Sequence, residues 1–255
     1  IAEAENLGFA EACNRGIEAS GGEWVCMLNN DTEADPDWAR ELVRAAEAAE
    51  PSCGMLQSLM LFMDRPGTVN STGIALAPDG LGRDRGMGED REQRSQENEI
   101  FCPTAGAAAY RRSMLDATRL QNGYFDSRYF MYYEDLDLGW RARLNGWTAR
   151  YVPSSVVLHR FHGSADRHGE KWLRRKSRIN RLRTLLKNAS WPMLLRASPR
   201  VFTNSVGLLL SGGPAAIAEL VAAGRGAWRT RGEVRKLHRV PARELERVWT
   251  RQESV

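Results

Sequence analysis

Short apolar runs alternate with amphipathic segments over the first two-thirds of the chain. Residues 8–20 and 37–50 place apolar side chains at helical spacing, and the apolar run 24–28 lies between them. Further strand-like runs occupy 55–63, 69–76, 101–110, 148–152 and 155–158. The order helix, strand, helix predicts an α/β protein with a mainly parallel sheet. The long polar segment 78–99 is typical of a functional or mobile loop.

The apolar run 24–28 ends abruptly in a polar turn. Its composition predicts a strand buried on both faces, with Cys26 as a small core residue. Asn29, Asn30 and Asp31 follow it directly. They would therefore lie at the carboxyl end of a core strand, where open α/β sheets bind ligands. Asn and Asp are also common turn residues, so a plain strand-to-helix turn is the alternative.

A second informative segment, 123–147, places six aromatic side chains ahead of a group of acids. Glu134 and Asp135 open a predicted helix, and Asp137 can pair with Arg141 on its outer face. Acids at a helix N-terminus stabilise the helix dipole, which is the simple explanation. Apolar walls would instead raise the pKa of a carboxyl and fit it to act as a base.

His159 closes the last strand-like run, as Asp31 closes the first. A single histidine is more often a hydrogen-bonded structural residue than a ligand. Its position at a strand end nevertheless makes it a candidate for the same sheet edge as Asp31.

Charge is divided unevenly along the 255 residues. The net charge is +4, yet residues 1–163 carry 16 Lys and Arg against 25 Asp and Glu, and residues 164–255 carry 20 against 7. This asymmetry predicts an acidic body and a basic tail that meets an anionic surface. The four cysteines show no paired or metal-binding spacing, which fits a reducing compartment.

The basic tail combines positive charge with apolar residues. Residues 170–187 interleave Lys and Arg with Trp and Leu, which fits a helix lying in a membrane interface. Residues 201–218 are uncharged, but Gly, Ser, Asn and Pro interrupt them too often for a transmembrane helix. A solvated charged face is the alternative, and the absence of a nucleic-acid motif disfavours a nucleic-acid partner.

Three separated stretches together resemble the family-2 glycosyltransferases of bacterial cell-surface polysaccharide synthesis, especially the rhamnosyltransferase-like branch. The resemblance covers about residues 6–163. It rests on motifs at Asn6, Gly8, Phe9, Asn14, Gly16, Ile17, Gly22, Glu23, 28–31, 106–112, 123–138, Gly146, Trp147, Val152, Pro153 and His159.

The resemblance implies a GT-A (Rossmann-like) fold for residues 1–163 and leaves 164–255 as a basic amphipathic helical tail. Members of the family begin with a strand and loop that bind the nucleotide base. The chain starts at Ile1 in helix-like sequence. We therefore expect an N-terminally truncated chain that lacks the first strands of the sheet and is inactive alone.

The resemblance also implies the residues of the site. Asp31 and His159 correspond to metal ligands for Mg²⁺ or Mn²⁺, and an imidazole ligand favours Mn²⁺. Asp135 corresponds to the catalytic base, with Glu134 beside it. The implied donor-binding residues are Asn6, Gly8, Asn14, Asn29, Asn30 and Gly106, and the implied acceptor-binding residues are Arg112, Tyr133 and Trp147.

The implied activity is inverting sugar transfer from a nucleotide-diphosphate sugar to a hydroxyl of a cell-surface glycan or lipid-linked acceptor. The sugar, the nucleotide and the acceptor stay open. We expect a cytoplasmic, metal-dependent enzyme that is peripheral on the inner face of the bacterial plasma membrane and binds no nucleic acid. One alternative is a non-catalytic, membrane-associated subunit or remnant, and another is a retaining or hydrolytic enzyme on a related fold.

Overall fold

Helices and strands alternate in the computed structural model, which describes residues 5–160 and 169–252. The strands are β1 (Trp24–Leu28), β2 (Thr32–Ala34), β3 (Cys53–Phe62), β4 (Arg65–Ser71), β5 (Ile74–Leu76), β6 (Gly82–Asp84), β7 (Asn98–Glu99), β8 (Ala107–Arg111) and β9 (Thr148–His159). The helices are α1 (Phe9–Ala19), α2 (Trp38–Glu47), α3 (Arg112–Thr118), α4 (Glu134–Leu144), α5 (Glu170–Asn188), α6 (Trp191–Leu237) and α7 (Ala242–Gln252). Short 3₁₀ helices span Arg91–Arg94 and Ser127–Tyr129.

The central sheet has the strand order β1-β8-β3-β9-β2, with β4 beside β3 and β7 beside β9. The predicted α/β class is confirmed, and β1, β3 and β9 run in one direction. Only β3 and β9 pair directly in parallel among the described strands, because β8 lies antiparallel between β1 and β3. The carboxyl ends of β1 and β9 therefore face the same edge of the sheet.

The strand buried on both faces is β3, whose ten residues are all buried. The same prediction for β1 is wrong. Val25 and Met27 are buried, but Cys26 and Leu28 are exposed. The reason is position, since β1 ends the strand order and has β8 as its one described neighbour.

Residues 148–159 form one strand where the sequence predicts two short ones. Val152 pairs with Ser58, and the next pairing joins Val156 to Leu59. The intervening residues, which include Pro153, bulge out of the ladder because proline has no N–H to donate. The bulge lets β9 continue to His159.

One hydrophobic cluster joins the sheet to the C-terminal helices. Tyr110 and Trp140 belong to it, and so do Leu185 of α5, Met193 of α6 and Trp249 of α7. The predicted boundary between residues 163 and 164 lies outside the described residues. The separation into two domains stays a prediction, and the packing shows that both parts share one core.

Helix α6 doubles back on itself. Its 47 residues begin with Ser190 as the N-cap and a proline in the first turn. The rings of Trp191 and Trp228 lie 6.0 Å apart, whereas a straight helix would separate them by about 55 Å. Leu208 and Leu220 also pack in one small cluster, so the reversal lies between them. Within 5–160 and 169–252, no helix has the length and apolar character needed to cross a membrane.

Much of the basic charge on α5 is used inside the protein. Lys187 donates to Asp126 at 2.8 Å and to Asp137 at 2.7 Å, and Arg141 donates to Asp137 at 3.1 Å. All four side chains are fully buried. The Asp137–Arg141 pair is correctly predicted, but its predicted exposure is wrong because α5 covers α4. Nearer the start of α5, Arg175 and Lys176 pair with Glu219 of α6.

The buried carboxyls stay ionised because cations surround them. Burial alone would raise the pKa of Asp126, but Lys187 and Arg128 outweigh it and hold this pKa well below its usual range. Burial likewise opposes ionisation of Asp137, and Lys187 and Arg141 lower its pKa. The network therefore stabilises the fold only while both carboxyls are charged.

We predict that Lys187→Met lowers the free energy of unfolding by about 3–5 kcal/mol, because it leaves two buried carboxylates without their shared cation. Urea unfolding at pH 7 measures this. Carboxyls with depressed pKa values stabilise above their unfolded value near 4, so the difference from wild type should shrink below about pH 4. Arg44→Met, in an exposed pair with Glu41, is the control and should change stability by less than about 0.5 kcal/mol. A loss equal to that of the control would contradict the prediction.

Candidate functional site

A cavity of about 430 Å³ opens at the sheet edge where β1 and β9 end. The turn after β1, the end of β9, the β6 segment, the segment before β8 and the start of α4 all contribute to its walls. Helix α5 contributes Ser177. The cavity thus draws on both the acidic body and the basic tail of the chain.

Asp31 and His159 meet in this cavity. The chain turns after β1 and forms β2, which pairs Thr32 with His159 across the antiparallel ladder. Nε2 of His159 lies 3.4 Å from Oδ1 of Asp31. On the other side of the ring, Nδ1 lies 2.9 Å from Oδ1 of Asn70. The predicted neighbourhood of Asp31 and His159 at adjacent strand ends is therefore present.

The Asp31–His159 pair has the chemistry of a cation site. With Nδ1 donating to Asn70, the imidazole is held in the tautomer that directs the Nε2 lone pair toward the carboxylate. The imidazole nitrogen and the carboxylate oxygen that face each other can both ligate a metal ion. An imidazole nitrogen with a carboxylate oxygen suits Mn²⁺. Within the described ranges no three His, Cys, Asp or Glu side chains form a metal cluster, so a ligand or water would complete the coordination.

Asp135 lies in the wall of the cavity at the start of α4. Its carboxylate accepts hydrogen bonds from the backbone N–H of Leu136, at 2.7 Å, from the backbone of Ala105 and from the Thr104 side chain. Burial raises the pKa of Asp135 to about 6, and Asp84 adds to the rise while the hydrogen bonds oppose it. A carboxyl that titrates near neutral pH can accept a proton during turnover.

Glu134 differs from its neighbour. It is buried, and its Oε2 has no hydrogen-bond partner among residues 5–160 and 169–252. Burial raises the pKa of Glu134 well above its usual range, and Asp135 raises it further. Burial and the neighbouring carboxyl thus both raise the pKa of Glu134, which favours its protonated form.

Three aromatic residues before these acids adopt strained backbone conformations. Phe130, Tyr132 and Tyr133 have φ angles of 65°, 69° and 72°, in the left-handed region that residues other than glycine rarely adopt. Such residues cost on the order of 1–3 kcal/mol each and cluster at functional sites. Tyr133, a predicted acceptor-binding residue, is the N-cap of α4 and lines the cavity with Tyr132.

Three of the predicted donor-binding residues line the cavity. They are Asn29, Asn30 and Gly106. The backbone N–H of Asn29 donates to the Gly106 carbonyl at 2.9 Å, which joins the turn after β1 to the segment before β8. A Cβ at Gly106 would lie 3.0 Å from the end of Met60, so this position tolerates little added volume.

The other three predicted donor-binding residues do not line the cavity. Asn6 accepts a hydrogen bond from the Gly8 N–H, and a Cβ on Gly8 would fall 2.5 Å from the Phe130 ring. Asn14 is buried and bonds both the N–H and the carbonyl of Phe125. Its side-chain amide is satisfied within the fold, so a donor-binding role for Asn14 does not fit its placement.

Arg112 and Trp147 also lie away from the cavity. Arg112 donates to the carbonyls of Ser20 and Gly22, at 3.0 and 2.8 Å, where α1 has ended. Trp147 donates to Asn145 at 3.1 Å. Both side chains make structural contacts outside the cavity, and their acceptor-binding roles stay predictions.

The cavity includes residues that sequence reasoning missed. Arg83 and Asp84 come from the polar segment 78–99, whose length is the one signal that marks it as functional. Asn70 follows a strand run and carries no signal of its own. Ser177 reaches the cavity only because α5 packs against α4.

Comparison of the sequence with known families supports the resemblance. The profile described as Glycosyl transferase family 2 matches residues 1–119. The N-acetylglucosaminyl-diphospho-decaprenol L-rhamnosyltransferase of Mycobacterium tuberculosis is 31% identical over 176 residues, which cover 60% of this chain and 56% of that protein. The O-antigen biosynthesis protein RfbC of Myxococcus xanthus is 26% identical over 171 residues, 62% of this chain and 12% of that protein.

Comparison of the fold points the same way. The crystal structure of GalNAc-T7 with UDP, GalNAc and Mn²⁺ superposes with a TM-score of 0.59 at 13% identity, over 80% of this chain and 39% of that one. The likeness shows the GT-A fold that the sequence resemblance implied. The chain spans about half the length of the mycobacterial relative it matches.

Proposed function

We propose that this chain is a member of Glycosyl transferase family 2 that transfers a sugar from a nucleotide-diphosphate sugar to a hydroxyl of a cell-surface glycan or lipid-linked acceptor. The observation that carries the proposal is one cavity that holds a carboxyl titrating near neutral pH, Asp135, together with the Asp31–His159 pair. The first provides a base and the second a place for a cation. Transfer between two substrates needs both at once.

The proposed reaction is a single displacement with inversion. The acceptor oxygen attacks the anomeric carbon as its proton passes to the Asp135 carboxylate, and the bond from that carbon to the diphosphate breaks. Glu134, whose pKa is raised by burial, can when protonated donate a hydrogen bond that orients the acceptor. The aromatic faces of Tyr132 and Tyr133 line the same wall and exclude water from the displacement.

Asp31 and His159 would hold Mg²⁺ or Mn²⁺, of which the imidazole favours Mn²⁺. When bound, the ion neutralises the negative charge that grows on the departing diphosphate. Asn29, Asn30 and Gly106 lie beside the pair and line the path of the donor. With only two protein ligands in this pair, diphosphate oxygens would complete the coordination.

We predict that Asp135→Asn lowers turnover by about 10²–10⁴, while donor and metal affinity change little. The base must be deprotonated, so wild-type kcat/KM should fall as the pH drops below about 6. Asp84 and Glu134 are carboxyls close to Asp135 and could also produce a fall in activity at low pH. The fall is therefore assigned to Asp135 only if Asp135→Asn removes it from the pH profile. Steady-state kinetics from pH 5 to 9 measure both effects.

The control for this prediction is Glu134→Gln, which should raise KM for the acceptor more than it lowers kcat. If Glu134→Gln abolished turnover and Asp135→Asn kept it, Glu134 would be the base and Asp135 the residue that orients the acceptor. If neither variant affected transfer, the proposed function would fail in favour of a non-catalytic subunit. The anomeric configuration of the product distinguishes inversion from the retaining or hydrolytic alternative.

We predict that Mn²⁺ binds tightly only together with a nucleoside diphosphate, because Asp31 and His159 form an incomplete ligand set. Electron paramagnetic resonance of Mn²⁺ with and without the diphosphate measures this independently of turnover. His159→Ala should weaken the ternary affinity at least tenfold, and Asn70→Ala should weaken it about 10-fold through the lost tautomer control. Equal Mn²⁺ affinity in wild type and His159→Ala would remove the pair from the metal site.

We further propose that the chain acts as a peripheral protein on an anionic membrane, on the cytoplasmic side. Both arms of the doubled-back α6 expose large apolar side chains, flanked by the exposed Arg196, Arg225 and Arg229. An apolar face with basic flanks suits a helix in the membrane interface. The exposed apolar residues of α6 are Trp191, Leu195, Phe202, Leu209, Leu210, Ile217, Val221 and Trp228. This face replaces α5 as the candidate surface, since several α5 cations are paired within the protein.

We predict binding to vesicles that contain phosphatidylglycerol, with a marked loss at high salt because the attraction is partly screened. Phe202→Asp and Leu210→Asp should each reduce binding strongly, because they place a carboxylate on the apolar face. Val43→Asp, at an exposed apolar residue of α2, is the control and should bind as wild type. Co-sedimentation measures all four proteins. Equal losses in all three variants, or equal binding to neutral vesicles in high salt, would contradict the prediction.

A further inference from the structure

One side chain of α5 holds the strained segment that leads into α4. The Nδ2 atom of Asn180 lies 2.9, 2.8 and 3.0 Å from the carbonyl oxygens of Tyr129, Met131 and Tyr132. An amide nitrogen carries two hydrogens, which these three acceptors must share. Asn180 is 1% exposed, so no water competes for the contact.

The Asn180 amide supplies hydrogen-bond donors that the backbone of this segment lacks. Phe130, Tyr132 and Tyr133 are in the left-handed conformation, which interrupts the regular pairing of backbone groups. Buried carbonyls still need donors, and Asn180 supplies them from outside the segment. On the opposite side, the N–H of Ala10 donates to the Phe130 carbonyl at 3.2 Å. The segment is therefore fixed between α1 and α5.

The orientation of the Asn180 amide is itself determined by neighbours on α5. Its Oδ1 accepts a hydrogen bond from Arg183 at 2.5 Å, which turns the nitrogen toward the segment. One turn further along the helix, the hydroxyls of Thr184 and Tyr129 lie 2.8 Å apart. These contacts give α5 a polar stripe that matches residues 129–132.

The segment controls where the two acids lie. Tyr133 is the N-cap of α4, and Glu134 and Asp135 are the first two residues of that helix. A change in the backbone of residues 130–133 would therefore move both carboxyls and Tyr132 in the cavity wall. A displacement of about 1 Å at reacting groups can cost 10²-fold in rate.

We propose that Asn180 is a positioning residue for sugar transfer, which fixes the strained segment and thereby sets the place of Asp135 in the cavity. The proposal rests on the proposed function. It assigns to the C-terminal helices a part in the reaction, although Asn180 itself touches no reacting atom. Removal of the amide should let the segment leave its left-handed conformation while the donor side, formed by Asn29, Asn30 and Gly106, stays in place.

The test compares Asn180→Ala with Asn188→Ala by hydrogen exchange and by kinetics. Asn188 is a matched control, since it lies on the same helix, is equally buried and donates to Asp137 at 2.8 Å rather than to the segment. In Asn180→Ala, amides of residues 129–136 should exchange faster than in wild type. Its kcat should fall about 10- to 100-fold, with KM for the donor changed less than about threefold. Asn188→Ala removes a donor to Asp137 in the first turn of α4, so both of its effects should be clearly smaller than those of Asn180→Ala.

Each outcome has a consequence. Exchange in residues 129–136 that matches Asn188→Ala, or a kcat within twofold of wild type, would overturn the proposal. Should the Ala variant fail to fold, Asn180→Asp keeps the side-chain shape and sets an acceptor against the three carbonyls, with the same expected results. If wild type transfers no sugar, the proposed function fails, and the exchange measurement still decides whether Asn180 holds the segment.

Discussion

The buried ammonium of Lys187 is the interaction on which the arrangement of the two parts depends. It is shared by Asp126, just before the strained aromatic segment, and Asp137, in the first turn of α4. Without that cation, Asp126 and Asp137 would each lose one cationic partner and retain Arg128 and Arg141, and removing a partner from buried charges is strongly destabilising. The C-terminal helices are therefore required by the electrostatics of the sheet domain, and the packing of α5 against α4 follows.

The packing of α5 allows the residues before α4 to keep a strained backbone conformation. Three aromatic residues with positive φ would relax in an isolated loop, because no local interaction offsets their strain. The donors on α5 and the N–H of Ala10 satisfy the carbonyls that this conformation leaves unpaired. Glu134 and Asp135 then enter the cavity from a fixed helix start, and their burial raises the pKa of both carboxyls. Stability and chemistry thus come from the same contacts.

The cavity divides into two kinds of wall. Asp31, His159 and the turn after β1 place oxygen and nitrogen atoms at the sheet edge, and the start of α4 places carboxyls among aromatic residues. The profile match ends at residue 119, so Glu134, Asp135 and His159 rest on the sequence motifs and on their shared cavity. Antiparallel pairing of β2 with β9 brings Asp31 and His159 together from positions far apart in the sequence.

The sequence alone determined the α/β class, the first helices and strands, the family resemblance, and the residue types that meet at the sheet edge. Those features follow from local periodicity, from turn chemistry and from motifs, all of which are written in neighbouring positions. Only the tertiary structure decided that β1 lies at the end of the sheet, that Asp137 and Arg141 are buried, and that Asn14, Arg112 and Trp147 support the fold. It also decided that α6 doubles back and that Asn180 reaches the strained segment. Burial and partners of this kind depend on residues far apart in the chain, and no local pattern records which distant surface will cover a given face.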